Sequence, residues 1–273
     1  MVSIIVTSGK GGVGKTTFSI NLAVLLAKAG KKTVLVDADI GMANVGIMLG
    51  QEKSPITLNN VLMGENNVQD AIFQGVGGVN FILTALSLDK IPSNFMENLP
   101  KIIAELNKSF DFVILDSAPG VGDIIEYAHK SCDEAILLST PEPSSIADTL
   151  KSKIMLERLG MKIRGVVLNR VQGDSLEVSA NEVEKLFELK VLASLPESLE
   201  VRKCTLNQTT LLQSYPGSSY LKRLKHLTED LIGEKFTVSE MEASKESLIG
   251  RLFNAFRQLL SGKPKTTDMQ AKT

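Results

Sequence analysis

The sequence has no Cys-x-x-Cys pair, no excess of either charge, no internal repeat and no low-complexity tract. No apolar run approaches the roughly 18 residues needed to span a bilayer. Its two cysteines, Cys132 and Cys204, stand alone, which argues against a structural zinc or iron-sulfur site within one chain. Buried free thiols in a reducing compartment are the expectation. A net charge of -1 supplies no global field for nucleic acid. No basic leader precedes the first strand-like run at Val2, so a cytoplasmic location is expected.

The 273 residues, 43% hydrophobic and 22% charged, suit one large α/β domain and a tail. Short apolar runs alternate with stretches of helical periodicity. Strands are expected at Ser3 to Val6, Thr33 to Val36, Val79 to Leu83, Phe112 to Leu115, Ala135 to Ser139, Ile163 to Leu168 and Val191 to Leu195. Helices are expected at Lys15 to Ala29, where Gly30 stops the first, and near Phe95 to Asn107, Gly122 to His129, Ser144 to Leu159, Ala180 to Glu188 and Ser219 to Ile232. Strands rich in Val, Ile and Leu without polar alternation belong to a sheet buried on both faces. The pattern predicts a doubly wound, mostly parallel α/β sheet with ligands at the carboxyl ends of the strands. The domain is expected to cover residues 1–233, followed by a linker at 234–244, a helix at 245–262 and a polar tail at 263–273.

Between the first strand and first helix stands Gly9-Lys10-Gly11-Gly12-Val13-Gly14-Lys15-Thr16. It satisfies Gly-x-x-x-x-Gly-Lys-Ser/Thr in the context that phosphate binding requires. Glycine allows the backbone to bring successive N–H groups onto phosphate oxygens, and the helix amino end adds its dipole. Lys15 has the reach for the β and γ phosphates, and the Thr16 hydroxyl is placed to ligate Mg²⁺. These features predict binding of ATP or GTP, with ATP the better fit. The guanine-reading Asn-Lys-x-Asp string is missing, because Asn107-Lys108-Ser109-Phe110-Asp111 has the wrong spacing.

Lys10-Gly11-Gly12-Val13-Gly14-Lys15-Thr16-Thr17 resembles the deviant Walker A motif of the MinD/ParA ATPases, and the resemblance covers roughly residues 1 to 233. It implies that Lys10 reaches across an ATP-dependent homodimer to the partner's phosphates, as an arginine finger does elsewhere. Asp37-Ala38-Asp39 closes the second strand. Asp37 resembles the family's structural or metal-shell aspartate, and Asp39 the residue that orients or deprotonates the attacking water. Asn44 fits either a contact on this switch or a helix N-cap. Phe112-Val113-Ile114-Leu115-Asp116 has a Walker B arrangement, with Asp116 ending the strand and holding the Mg²⁺ shell through water. Many relatives read Asp-Ser/Thr-Pro-Ala-Gly there, whereas this chain reads Ala118-Pro119 before Gly120, which leaves the shape of the second switch open. Asn169 and Arg170 resemble the family's adenine-binding segment, and Pro196 and Glu197 the turn that lines the base. The activity implied is ATP hydrolysis, slow until an activating protein partner binds.

Two other functions compete with a MinD-type positioning switch. A DNA-partitioning ATPase would draw on the cluster Lys222, Arg223, Lys225 and His226, which also reads as a solvated helix face; DNA is not the expected partner. An iron-sulfur carrier of the same fold would have to share a cluster between chains through a cysteine such as Cys132. The tail weighs for the switch. At about 100° per residue, Leu248, Ile249, Leu252, Phe253, Phe256, Leu259 and Leu260 fall within an arc of roughly 140°. Lys245 precedes this stretch, and Lys263 and Lys265 follow it. The pattern predicts an in-plane helix on an anionic membrane, resembling the family's carboxyl-terminal targeting segment, against the alternatives of a helix docked on the core or on a protein. The expected location is then cytoplasmic and reversibly peripheral on the inner face of the cell membrane.

Overall fold

The structure, a computed structural model, describes residues 1–40, 42–51, 54–85, 95–120, 126–127 and 130–238. Among the described residues, eight strands form one sheet: β1 (Val2–Thr7), β2 (Thr33–Ala38), β3 (Phe73–Gln74), β4 (Asn80–Ile82), β5 (Phe112–Ser117), β6 (Glu134–Ser139), β7 (Ile163–Val171) and β8 (Val191–Pro196). Their order is β3-β4-β2-β5-β1-β6-β7-β8. Every pairing is parallel except the β3/β4 hairpin at one edge. The carboxyl ends of β1, β2, β5, β6, β7 and β8 therefore share one rim of the sheet.

Alternate residues of the central strands feed two hydrophobic clusters, as a sheet covered on both faces requires. Ile4 and Val6 of β1 pack with Phe18, Leu22 and Leu25 of α1 (Lys15–Lys28) and with Leu224 and Leu227 of α9 (Ser219–Ile232). Ile5 faces the other way, into a cluster with Ile103 of α4 (Leu99–Leu106), Leu156 of α5 (Pro143–Arg158) and Phe187 of α6 (Ala180–Phe187). Gly30 ends α1 at φ 80, and the Lys31 N–H reaches back to the Leu26 carbonyl. That is a left-handed closure open to glycine at little cost.

The seven expected strands are present; β4 is shorter than expected and the other six are longer, β7 running on to Val171 so that Asn169 and Arg170 lie within it. Asp116 does not end its strand; Ser117 does, with its hydroxyl tied to the Val6 carbonyl of the neighbouring strand. The helix expected over Phe95 to Asn107 divides into a 3-10 turn at Phe95–Asn98 and α4, because Pro100 in the first turn lacks the N–H that would join them. Four short helices were not legible: α2 (Val45–Leu49), α3 (Leu58–Leu62), α7 (Leu199–Leu206) and α8 (Leu211–Ser214). The helix expected at Gly122 to His129 falls mostly outside the described residues. A compact unit spans Met1–Ser239; Phe236 and Val238, in the stretch expected as linker, pack against the α1 and α9 cluster. The expected membrane segment, with Leu248, Ile249, Leu252, Phe253, Phe256, Leu259 and Leu260, lies outside the described residues. Among the described residues, no helix is long and apolar enough to cross a membrane.

Candidate functional site

The loop from β1 to α1 holds its shape through two close approaches. A Cβ on Gly9 would lie 2.1 Å from the Asp148 carbonyl carbon of α5, so the loop is packed against helix backbone. Gly14, at φ 95, would place a Cβ 2.4 Å from the Asn169 Nδ2 atom. Gly14 is also the N-cap of α1, which has neither a side-chain cap nor an acidic residue in its first turn. Those first N–H groups and the helix dipole suit an anion. Lys15 is buried beneath the loop and donates to the Ser8 hydroxyl at 3.0 Å. Burial lowers its pKa, opposed by the charges of Asp116 and Asp39. Lys10 behaves differently: its ammonium lies 3.3 Å from the Glu142 carboxylate and 3.2 Å from the Ser144 hydroxyl, at an exposed edge.

Asp37 and Asp116 are opposite one another in the β2/β5 register, and both are buried. Asp37 accepts the N–H groups of Asp39 and Val45, each at 3.2 Å. Burial, and then the Asp116 charge, push its carboxyl up to about 8, while those N–H groups pull it down. Asp116 is pushed up to about 6 by burial, opposed by the hydroxyls of Thr16 and Ser19 and by Lys15. Its Oδ1 accepts from Ser19 at 2.9 Å, and its Oδ2 is buried with no partner among the described residues. Two carboxylates, one of them with an unpartnered oxygen among the described residues, and a hydroxyl are the hard donors that Mg²⁺ takes. No group of three or more His, Cys, Asp or Glu residues stands ready to hold an ion among the described residues. The donors therefore fit an ion that shares its shell with water and phosphate. Asp39, just beyond β2, is half-buried and closes a turn by accepting the Met42 N–H at 3.1 Å. Burial raises its pKa, countered by that bond and by Lys15. Asn44 is the N-cap of α2, without a side-chain bond to it. Gly120 joins the second strand-end loop to the first by donating its N–H to the Ser8 carbonyl.

At the other end of the loop, a cavity of about 220 Å³ is lined by Gly12, Gly14 and Thr17 together with Asn169, Arg170, Pro196 and Glu197. The strand-end residues named from sequence thus come together here. Asn169 donates from Nδ2 to the Val13 carbonyl at 2.7 Å, and its buried Oδ1 has no partner among the described residues. Arg170 has a left-handed backbone (φ 61) where the β7/β8 register breaks, and its Nε donates to Glu197 at 2.6 Å. Tyr220, which sequence reasoning missed, also lines the cavity. Its position on the apolar stripe of α9, with Leu221, Leu224 and Leu227, reads as core and gives no other signal.

Residues 4–211 match the CobQ/CobB/MinD/ParA nucleotide binding domain. The chain belongs to this family. It is an ATPase of the family's MinD/ParA kind, close to MinD. It is 38% identical to an uncharacterized ATP-binding protein of Methanocaldococcus jannaschii, covering 92% of this chain and 94% of that one. It is 31% identical to the septum site-determining protein MinD of Buchnera aphidicola, over 92% and 98% of the two chains. Its fold is similar to that of the septum site-determining protein MinD of Pyrococcus horikoshii complexed with Mg-ADP, with a TM-score of 0.78 at 31% identity, covering 84% of this chain and 95% of that one.

Within the family, the competing functions find little in this chain. Both cysteines are buried, and burial pushes the thiol of Cys204 up to about 11 and that of Cys132 further. A cluster shared between chains needs exposed thiolates. On α9, Lys225 and His226 are held by Glu229, and Arg223 donates to the Ser194 carbonyl. Three of the four side chains of the basic cluster thus have partners within the fold.

Proposed function

We propose that the chain is a MinD-type switch: it dimerises with ATP, binds an anionic membrane surface through residues 245–262 in that state, and is released by hydrolysis. The observation that carries this reading is the contrast between the two loop lysines. Lys15 is buried under its own loop, whereas Lys10 is held by Glu142 and Ser144 at an exposed edge. A cation so placed is available to the phosphates of a facing copy. In the assembled site, the loop N–H groups and Lys15 hold the phosphates, and Asn169, Arg170, Pro196 and Glu197 hold adenine. Asp39 orients the attacking water, which suits a loose phosphoryl-transfer transition state in which positioning outweighs proton removal. Thr16 and, through water, Asp116 and Asp37 would hold Mg²⁺, which would supply neutralisation of phosphate charge. Release of Asp39 and Met42 from their turn is how nucleotide state would reach α2. Two weakly binding tails on one dimer gain by effective concentration, so dimerisation alone controls membrane residence. A protein partner that stimulates turnover completes the cycle.

Light scattering and liposome sedimentation with ATP and Mg²⁺ test this reading. Asp39→Ala should bind ATP and accumulate as a dimer, Lys15→Ala should lose nucleotide, and Lys10→Ala should bind nucleotide as a monomer. The full chain should sediment with anionic liposomes far more in ATP than in ADP. Phe256→Glu or truncation after Glu242 should abolish sedimentation while ATP binding persists. Normal dimerisation of Lys10→Ala would remove the trans role of that lysine, and equal sedimentation of truncated and full-length protein would sink the membrane assignment.

A further inference from the structure

Tyr220 is buried at 2% exposure, and its hydroxyl has no hydrogen-bond partner among the described residues. Phenylalanine would fill the same space without burying an unpaired hydroxyl, which costs stability unless a partner arrives. The residue is neither remote nor isolated. It lies at the start of α9 and lines the same cavity as Asn169, whose Oδ1 is the other unpartnered buried atom there. The two atoms differ in kind. One N–H of the Asn169 amide is donated to the Val13 carbonyl, which fixes the side chain's orientation and leaves its Oδ1 as the acceptor without a partner among the described residues, and Tyr220 adds a hydroxyl that can donate. Adenine has the matching pattern, with an exocyclic amine that donates and ring nitrogens that accept. Guanine sets a carbonyl oxygen where adenine has its amine, and would leave an acceptor facing an acceptor. Burial and the neighbouring Glu197 charge keep the phenol protonated, hence a donor, across the physiological range.

We propose that the Tyr220 hydroxyl donates a hydrogen bond to a ring nitrogen of the bound adenine and is, with Asn169, a residue that sets base specificity. The proposal rests on the reading that this cavity takes the base. Calorimetric titration of the full chain and of Tyr220→Phe with ATP and with 1-deaza-, 3-deaza- and 7-deaza-ATP tests it, all with Mg²⁺. Tyr220→Phe should bind ATP about five- to tenfold more weakly, the loss of one hydrogen bond to a buried partner. The unaltered chain should lose a similar factor with one of the three analogues only, and Tyr220→Phe should lose nothing further with that same analogue. Its melting temperature without nucleotide should be unchanged or raised, since an unpaired hydroxyl has gone. Equal ATP affinity for the two proteins would overturn the proposal, as would parallel losses with every analogue, which mark a packing role. The analogue series on the unaltered chain stands even where the variant fails to fold: no loss with any of the three means that no ring nitrogen is bonded. Failure of the unaltered chain to bind ATP at all would instead remove the base-pocket reading on which the proposal depends.

Discussion

The phosphate end and the base end of the site are built from different materials. The phosphate end is a contiguous loop with buried charges around it: Lys15, Asp37 and Asp116 are each less than 8% exposed. In the proposed site its backbone would make the contacts, and the buried side chains around it shift one another's charge, Lys15 against Asp116 and Asp116 against Asp37. The base end is assembled from β7, the turn after β8 and the start of α9, elements far apart in the chain. It holds two neutral polar atoms without partners among the described residues, the exposed Arg170–Glu197 ion pair and one strained backbone position. Backbone recognition demands particular glycines at fixed spacing, and so leaves a motif. Side-chain recognition by scattered residues demands only that the fold bring them together.

Gly14 touches both ends, so it gives the largest expected effect and the most direct way to break the comparison. Alanine there would take a left-handed backbone at φ 95 and put its Cβ 2.4 Å from the Asn169 amide. Strain of this kind, added to displacement of Asn169, should lower ATP affinity on the order of 100-fold. The preference for ATP over GTP should fall with it. Competition titration with both nucleotides measures this, and an affinity loss with the base preference intact would show that the two ends are independent.

That coupling also explains what was legible beforehand. The strand-helix alternation, the loop and Asp116 follow from local pattern, because burial on both faces and phosphate binding each constrain neighbouring residues. Asn169, Arg170, Pro196 and Glu197 carry no motif of their own; only the family resemblance singles them out, and the fold brings them to one cavity. Tyr220 was illegible for a physical reason: at its place on α9, one apolar stripe serves the core and the cavity alike. The short helices α2, α3 and α8 offer too few turns for a 3.6-residue period to emerge, α7 is as long as α6 but buries only Cys204 and so carries no apolar stripe, and β3 is two residues long.

At the phosphate end, the paired carboxylates should make the nucleotide-free protein sensitive to pH. Asp37 is raised in the folded chain from an ordinary value near 3.8 to about 8, and Asp116 to about 6. A carboxyl with a raised folded value contributes stability that is fully present below its unfolded pKa and is lost as pH rises through the folded one. Stability without nucleotide should therefore fall between pH 5 and pH 8, by about 1–3 kcal/mol once solvent relaxation is allowed for. Asp37→Asn removes one of the two charges and should flatten that slope, giving its largest gain over the unaltered chain at pH 8. Urea melts at the two pH values read the difference. A steeper fall in the variant would mean that the bonds from Asp39 and Val45 to the ionised carboxylate outweigh its burial.

The smallest effect belongs to the base end, where Arg170 combines a strained backbone with an exposed ion pair. Its left-handed backbone (φ 61) costs about 1–2 kcal/mol in any residue but glycine. Against that stands its ion pair with Glu197, with side chains 53% and 45% exposed, and such exposed pairs contribute about 0–1 kcal/mol. Glycine at this position removes both, and adds about 0.5–1 kcal/mol of unfolded-state entropy that must be lost on folding. The three terms nearly cancel, so Arg170→Gly should leave the nucleotide-free stability within about 1 kcal/mol of the original. ATP affinity should nonetheless fall a few-fold, because the side chain that closes the cavity beside Glu197 has gone. A thermal melt paired with an ATP titration checks both halves. If stability dropped by several kcal/mol while affinity held, the strained arginine would belong to the scaffold, and the base end would be as tightly tied to the fold as the phosphate loop.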